Sequence, residues 1–190
     1  MSGKKISTAV FISGRGSNLK SLIKYSKSKK SIIKIELVVS NNANAKGLKF
    51  AKKSKIKFYL NNYKIVQNSE NQILKQLNKL NIDLICLAGF MKILSKKFVA
   101  KFKKPILNIH PSLLPKYKGL NTHQKVLNNK DKTSGSTVHL VTPKLDSGKI
   151  ILQKKVRVLK TDNIKSLEKK ILKIEHKLYP EAIRKFLSNL

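Results

Sequence analysis

Short, almost unbroken apolar runs recur along this chain, each followed by a stretch whose apolar residues return every three or four positions, and no other feature restricts the fold as tightly. The spacing predicts strands over residues 7–12, 33–40, 57–60 and 83–88, and helices over 19–28, 45–54 and 70–80. In the third helix Ile73, Leu74, Leu77 and Leu80 form one apolar stripe. A short helix over 95–101 then leads into a strand over 106–109. Strands without polar alternation, separated by amphipathic helices, indicate a mostly parallel sheet covered on both faces. After a helix over 122–128 the pattern changes to two β segments, 135–141 and 150–158, which read as antiparallel edge strands. A last helix spans 164–187, with Asp162 or Asn163 as its cap. A chain of 190 residues fits one domain, taken as 1–190, and shows no internal repeat or long linker.

Composition narrows the class further. Hydrophobic residues make up 41% of the chain, which is enough for a core, yet no apolar run approaches the roughly 18 to 20 residues needed to span a bilayer. The first residues carry no secretory signal pattern, so a cytoplasmic protein without membrane partners is expected. Cys86, the single cysteine, sits in an apolar run and reads as a small buried hydrophobe. The formal charge of +33 invites a nucleic-acid partner, but arginine occurs only at Arg15, Arg157 and Arg184. Lysine lacks the planar fork that recognises bases and phosphates in two-pronged fashion, and here it is spread through every segment. A compositional bias accounts for that pattern better than a nucleic-acid patch, and no specific nucleic acid is expected. Neither cysteine pairs nor suitably spaced histidines suggest a metal site.

Chemistry concentrates at four places at or beyond strand ends, where open α/β sheets bind ligands. Residues 13–18, Ser-Gly-Arg-Gly-Ser-Asn, join the first strand to the first helix, and free amides at a helix N-terminus favour phosphate. The loop lacks the third glycine of a dinucleotide fingerprint and any following Lys-Ser pair, so a monophosphate is the better ligand. Residues 88–94, Ala-Gly-Phe-Met-Lys-Ile-Leu, end a buried strand in exposed-looking apolar residues that could take a flat ligand, or could simply be core. Residues 108–115, Asn-Ile-His-Pro-Ser-Leu-Leu-Pro, set Asn108 and His110 on one face of a strand end, and Pro111 and Pro115 stiffen the exit. Asp146, before Ser147 and Gly148, could fold back to hold His110 charged and oriented, although an Asp in that setting also forms ordinary turns.

Residues 13–18, 87–94, 107–119, 136–146 and Glu175-His176 together resemble the folate-dependent formyltransferases, in the right order and over essentially the whole chain. Pro111 and the Lys-Tyr-Lys-Gly ending at Gly119 favour the glycinamide ribonucleotide branch of purine biosynthesis. The resemblance implies a Rossmann-like α/β fold and transfer of the formyl group of 10-formyltetrahydrofolate, a co-substrate, to the amine of glycinamide ribonucleotide. It implies Asn108, a protonated His110 and Asp146 as the catalytic trio. By matched position, Gly16, Ser17 and Asn18 would bind the ribonucleotide phosphate and Glu175 its ribose. Met91, Lys92, Ile93 and Leu94, with Val141, Leu145 and the rest of the 141–146 loop, would line the pterin pocket. Asn121 and Arg15 depart from the family pattern, while His123 and His139 read as supporting residues and His176 as a helix-surface residue. A monomer or weak homodimer is expected. A formyltetrahydrofolate hydrolase and a basic RNA-binding module are the competing readings, separable by formate release without the ribonucleotide and by a steep salt slope of binding.

Overall fold

Val10, Phe11 and Ile12 at the end of the first strand, β1 (Ile6–Ile12), are all fully buried, although successive side chains on a strand point to opposite faces. Such a strand needs cover on both sides. The computed structural model describes residues 5–189 and divides the chain into two compact units, one ending at Leu107 and the other starting at Asn108.

The first unit follows β1 with α1 (Ser17–Ser26), β2 (Ile33–Ser40), α2 (Leu48–Lys53), β3 (Lys57–Leu60), α3 (Val66–Lys79), β4 (Leu84–Leu87) and α4 (Lys96–Phe102). β1 pairs in parallel with β2 on one side and β4 on the other, and β2 pairs in parallel with β3. The chain therefore leaves β1 and β4 toward opposite edges of the sheet, which makes their carboxyl ends a topological switch point. The second unit carries most of β5 (Ile106–His110), then α5 (Thr122–Asn128), β6 (Thr133–Leu140), β7 (Ile150–Arg157) and α6 (Ile164–Leu187). β6 and β7 pair antiparallel, from Thr133 opposite Arg157 to His139 opposite Ile150. The strand order of the seven-stranded sheet is β3-β2-β1-β4-β5-β6-β7.

Several boundaries differ from those the sequence suggests, each for a local reason. α3 starts at Val66 rather than 70, because Gln67, Asn68 and Ser69 hide the apolar period of its first turn. Glu70 is not a solvated first-turn acid: its buried carboxylate accepts the Ser95 backbone N–H at 2.7 Å and the Ser95 hydroxyl. Ser95 in turn caps α4 by accepting from the Phe98 N–H. α2 starts at Leu48 because residues 45–47 form a turn in which the Gly47 N–H donates to the Gly14 carbonyl at 2.9 Å. Of the two segments expected as edge strands only β7 lies at an edge; β6 lies inside the sheet, which explains why Ser134 through His139 are all buried. β7 turns Lys154 and Lys155 outward to solvent.

α6 matches the sequence reading in full. Asn163 accepts from the Ser166 N–H while the Ser166 hydroxyl accepts from the Asn163 N–H, a reciprocal cap. Its inner face buries Leu167 and Ile171 against Val126 of α5, with Tyr117, Val156 and Val158 around them.

Gly16, the N-cap of α1, combines φ of 71° with a backbone contact that leaves no room for a side chain: a Cβ there would lie 2.5 Å from the Gly47 Cα. The left-handed backbone alone costs a substituted residue ~1–2 kcal/mol. Gly16→Ala is therefore expected to lower unfolding free energy by at least ~1–2 kcal/mol, read as a lower urea midpoint at unchanged slope.

Candidate active site

β5 ends in Asn108 and His110, and the chain then turns through Pro111 to Pro115 with a cis Leu114–Pro115 peptide. The turn is pinned to the sheet by side chains. Thr137 of β6 donates through Oγ1 to the Ser112 carbonyl at 2.6 Å and accepts from the Leu114 N–H at 3.1 Å. Gln153 of β7 donates to the Leu114 carbonyl at 2.8 Å, and the Ser112 hydroxyl closes the loop on the Lys116 carbonyl. Such anchoring is the rigidity that the two prolines foreshadow. Tyr117 follows at a positive φ of 56°, and its carbonyl lies 2.9 Å from His110 Nε2. A carbonyl only accepts, so Nε2 carries a hydrogen and Nδ1 is the His110 nitrogen free to gain or lose one.

Nδ1 faces Asp146. The Asp146 Oδ2 atom is 3.5 Å from His110 Nδ1 and accepts the Gly119 N–H at 2.9 Å, while Oδ1 is 3.5 Å from His139 Nε2. Side-chain exposures of 8% for His110 and 7% for Asp146 exclude most water from this contact. The loop reaches back because Gly148 lies against Leu140, where a Cβ would stand 1.8 Å from the Leu140 carbonyl oxygen. His139 completes the cluster: its Nε2 is 3.2 Å from Asn108 Nδ2, so Asn108, His110, His139 and Asp146 form one connected group.

Electrostatics correct one expectation. Burial lowers the His110 pKa below the ordinary imidazole value, and this outweighs the opposing pulls of the Tyr117 carbonyl and the Asp146 charge; His139 and Lys125 push it lower still. The free protein at neutral pH therefore holds His110 mainly neutral, not charged as the carboxylate alone suggests. For Asp146, burial raises the pKa, but the neighbouring His139 ring, the hydrogen bond from the Gly119 N–H and the nearby His110 more than offset it. The net direction is down, so Asp146 is ionised. Burial also lowers His123, with Glu168 opposing and His110 adding to the shift.

The first unit gathers the other two motifs at the β1–β4 switch point. Ser13 donates its hydroxyl to Asn41 and accepts the Met91 N–H at 2.7 Å, while its own N–H donates to the Gly89 carbonyl at 3.1 Å. No side chain caps the N-terminus of α1, so residues 16–18 present the helix start expected of an anion site. Gly16 and Ser17 are partly exposed and Asn18 is buried. The glycine at 16 is demanded by its packing against Gly47. Met91 and Ile93 are 62% and 69% exposed and Lys92 is exposed, whereas Leu94 is core.

In the second unit Leu145 is exposed and Val141 is half-buried. Glu175 is only 4% exposed, with Ser136 Oγ 3.1 Å from its Oε1 and 2.9 Å from the His110 carbonyl. His176 is half-buried rather than a surface residue. Asn121 occupies the left-handed N-cap of α5 at φ of 60°, a conformation that Asn tolerates, without bonding through its side chain. Sequence reasoning placed His139 too far from the chemistry, and it gave Tyr117 and Gly119 no role. The available signal for His139 was its match to a histidine of the resembled family. Among the described residues, no group of three His, Cys, Asp or Glu side chains is arranged to hold a metal ion, and no helix is long and apolar enough to cross a membrane.

Residues 6–183 match the formyl transferase family. The phosphoribosylglycinamide formyltransferase of Haemophilus influenzae is 44% identical over 186 residues, covering 96% of this chain and 87% of that protein. The trifunctional purine biosynthetic protein adenosine-3 of Bos taurus is 42% identical over 184 residues, 95% of this chain; the chain spans only 18% of that longer relative. The crystal structure of the phosphoribosylglycinamide formyltransferase from Brucella melitensis superposes with a TM-score of 0.91 at 42% identity, covering 96% of each chain.

The charge balance at His110 is open to direct measurement. Its imidazole is expected to titrate below 6.5 by NMR, because burial opposes the cation. In Asp146→Asn the midpoint should move lower again, since the carboxylate is one of the influences that raise it. A midpoint above 6.5, or an upward move in the variant, would contradict the balance described.

Proposed function

The chain belongs to the formyl transferase family, and from that premise we propose that it transfers the formyl group of 10-formyltetrahydrofolate to the amine of glycinamide ribonucleotide, in de novo purine biosynthesis. The observation that carries this reading is the buried contact of Asp146 with His110 beside Asn108, at the end of a strand and next to a rigid turn. Support also comes from relatives named phosphoribosylglycinamide formyltransferase that match nearly the full length. The family match runs across both units, which favours treating residues 1–190 as one catalytic domain.

The chemistry asks for two things. Attack of a neutral amine on a formyl carbon makes a tetrahedral intermediate carrying an oxyanion and a cationic nitrogen. Asn108 donates an amide N–H to the oxyanion; one preorganised donor of this kind is worth ~3–4 kcal/mol of transition-state free energy. His110 enters neutral, with hydrogen on Nε2 and a lone pair on Nδ1. As the attacking nitrogen becomes positive, a proton leaves it for the His110–Asp146 pair, and the ionised Asp146 stabilises the imidazolium formed. The same proton then passes to the folate nitrogen as its bond to the carbon breaks. One N–C bond forms, one breaks, and no covalent enzyme intermediate is needed.

Gly16, Ser17 and Asn18 take the phosphate at the start of α1, and Glu175 takes the ribose. Met91, Lys92 and Ile93 contact the folate, as do Val141 and Leu145, while Leu94 belongs to the core. The exposed apolar side chains of Met91 and Ile93 support that assignment, because a soluble protein gains nothing from exposing them without a ligand. The substrates are small molecules, the setting is the cytoplasm, and the chain acts as a monomer or weak homodimer.

An assay with both substrates, and with each omitted in turn, tests the reading. Formyl transfer should require both, whereas formate released from the folate alone as the main product would reverse the assignment to a hydrolase. His110→Ala should lower kcat by roughly 10²–10⁴-fold, the usual worth of a positioned acid–base group. Asp146→Ala should also cost orders of magnitude while far-UV circular dichroism stays native. Near-normal turnover in either variant would reject the proton path.

A further inference from the structure

His139 touches two members of the trio, yet nothing in the proton path above uses it. Its Nδ1 lies 2.8 Å from the Leu140 carbonyl, which can only accept, so Nδ1 carries a hydrogen. All remaining freedom is at Nε2, which has Asn108 Nδ2 at 3.2 Å and Asp146 Oδ1 at 3.5 Å. A neutral ring offers a lone pair there and accepts from the Asn108 amide nitrogen. A charged ring offers an N–H instead, which the amide nitrogen cannot meet; its partners become Asp146 Oδ1 and, after a half-turn of the amide, Asn108 Oδ1.

The two ring states therefore aim opposite ends of the Asn108 amide at the Asp146 side of the cluster. The reacting atoms must lie within reach of both Asn108 and the His110–Asp146 pair, so the donor end has to face that side. We propose that His139 is a positioning residue whose neutral form, with hydrogen on Nδ1, holds the Asn108 amide nitrogen toward the reacting atoms. The inference rests on the formyl-transfer reading. The charged or titratable groups facing the ring are Asp146 from the 141–149 loop and His110 from β5.

Two measurements decide the matter. Ring 15N spectra of the unaltered protein at pH 8 should show His139 as the neutral tautomer with hydrogen on Nδ1. An Nε2–H tautomer or an imidazolium at that pH overturns the proposal, whether or not the protein transfers formyl groups. The second is a double-mutant cycle. His139→Leu should reduce kcat about 10- to 100-fold in the otherwise native protein, with KM changed less than about threefold, and should change kcat less than about threefold in an Asn108→Ala background. A full, additive loss in that background shows a merely structural role and overturns the proposal, as does native kcat in His139→Leu. Thermal unfolding of each variant accompanies the kinetics, and should His139→Leu not fold, the spectra decide alone. Failure of the native protein to transfer formyl at all would sink the functional reading, and the spectra would still report on the Asn108 hydrogen bond.

Discussion

A carboxylate placed where water hardly reaches it must be met by donors, because an unpaired buried charge costs several kcal/mol. Asp146 meets that demand with a backbone N–H donated by Gly119, and its two oxygens face the His110 and His139 rings at 3.5 Å. Nearly every local peculiarity of the second unit serves this arrangement. Tyr117 at positive φ aims its carbonyl at His110, Gly148 lets the loop close on Leu140, and the buried polar residues of β6 hold the turn after β5. The ionised state of Asp146 and the neutral state of His110 are two outcomes of the same geometry. One gains more from its donors than burial takes away, and the other does not.

This balance changes how the site starts its cycle. An imidazole already charged would stabilise an oxyanion at once but could not accept a proton. A neutral one, with its lone pair beside a carboxylate, is ready to accept the proton that the attacking amine must lose. The driving force for that acceptance grows as the nitrogen becomes cationic, so the site responds to the intermediate more than to the bound substrates. The connection through His139 extends the same logic to Asn108, since one shared carboxylate faces both rings.

How much of this could be read in the sequence depends on whether the cause was local. α5, β2 and α6 appear with their observed bounds because period and cap residues such as Asn163 lie within the elements themselves. The first turn of α3 was hidden, since Gln67, Asn68 and Ser69 show no apolar period and Glu70 is buried only through Ser95, far along the chain. Asn108 and His110 were visible from strand alternation, whereas the turn around Asp146 offered only a carboxylate able to fold back, one that an ordinary turn explains equally well, and the family resemblance is what placed it in the trio. The state of His110 was out of reach for a different reason. A neighbouring acid can be named from sequence, but the burial that outweighs it depends on how many other residues surround the ring.

The outward lysines of β7 bear on a matter apart from chemistry. An open sheet margin offers unsatisfied amide and carbonyl groups to any passing strand, and Lys154 and Lys155 line that margin in this chain. Two copies meeting there would force like ammonium groups together, so growth of fibrils from this border is electrostatically discouraged. The lysine excess thereby acts as a colloidal safeguard, one that weakens as added salt shortens the Debye length.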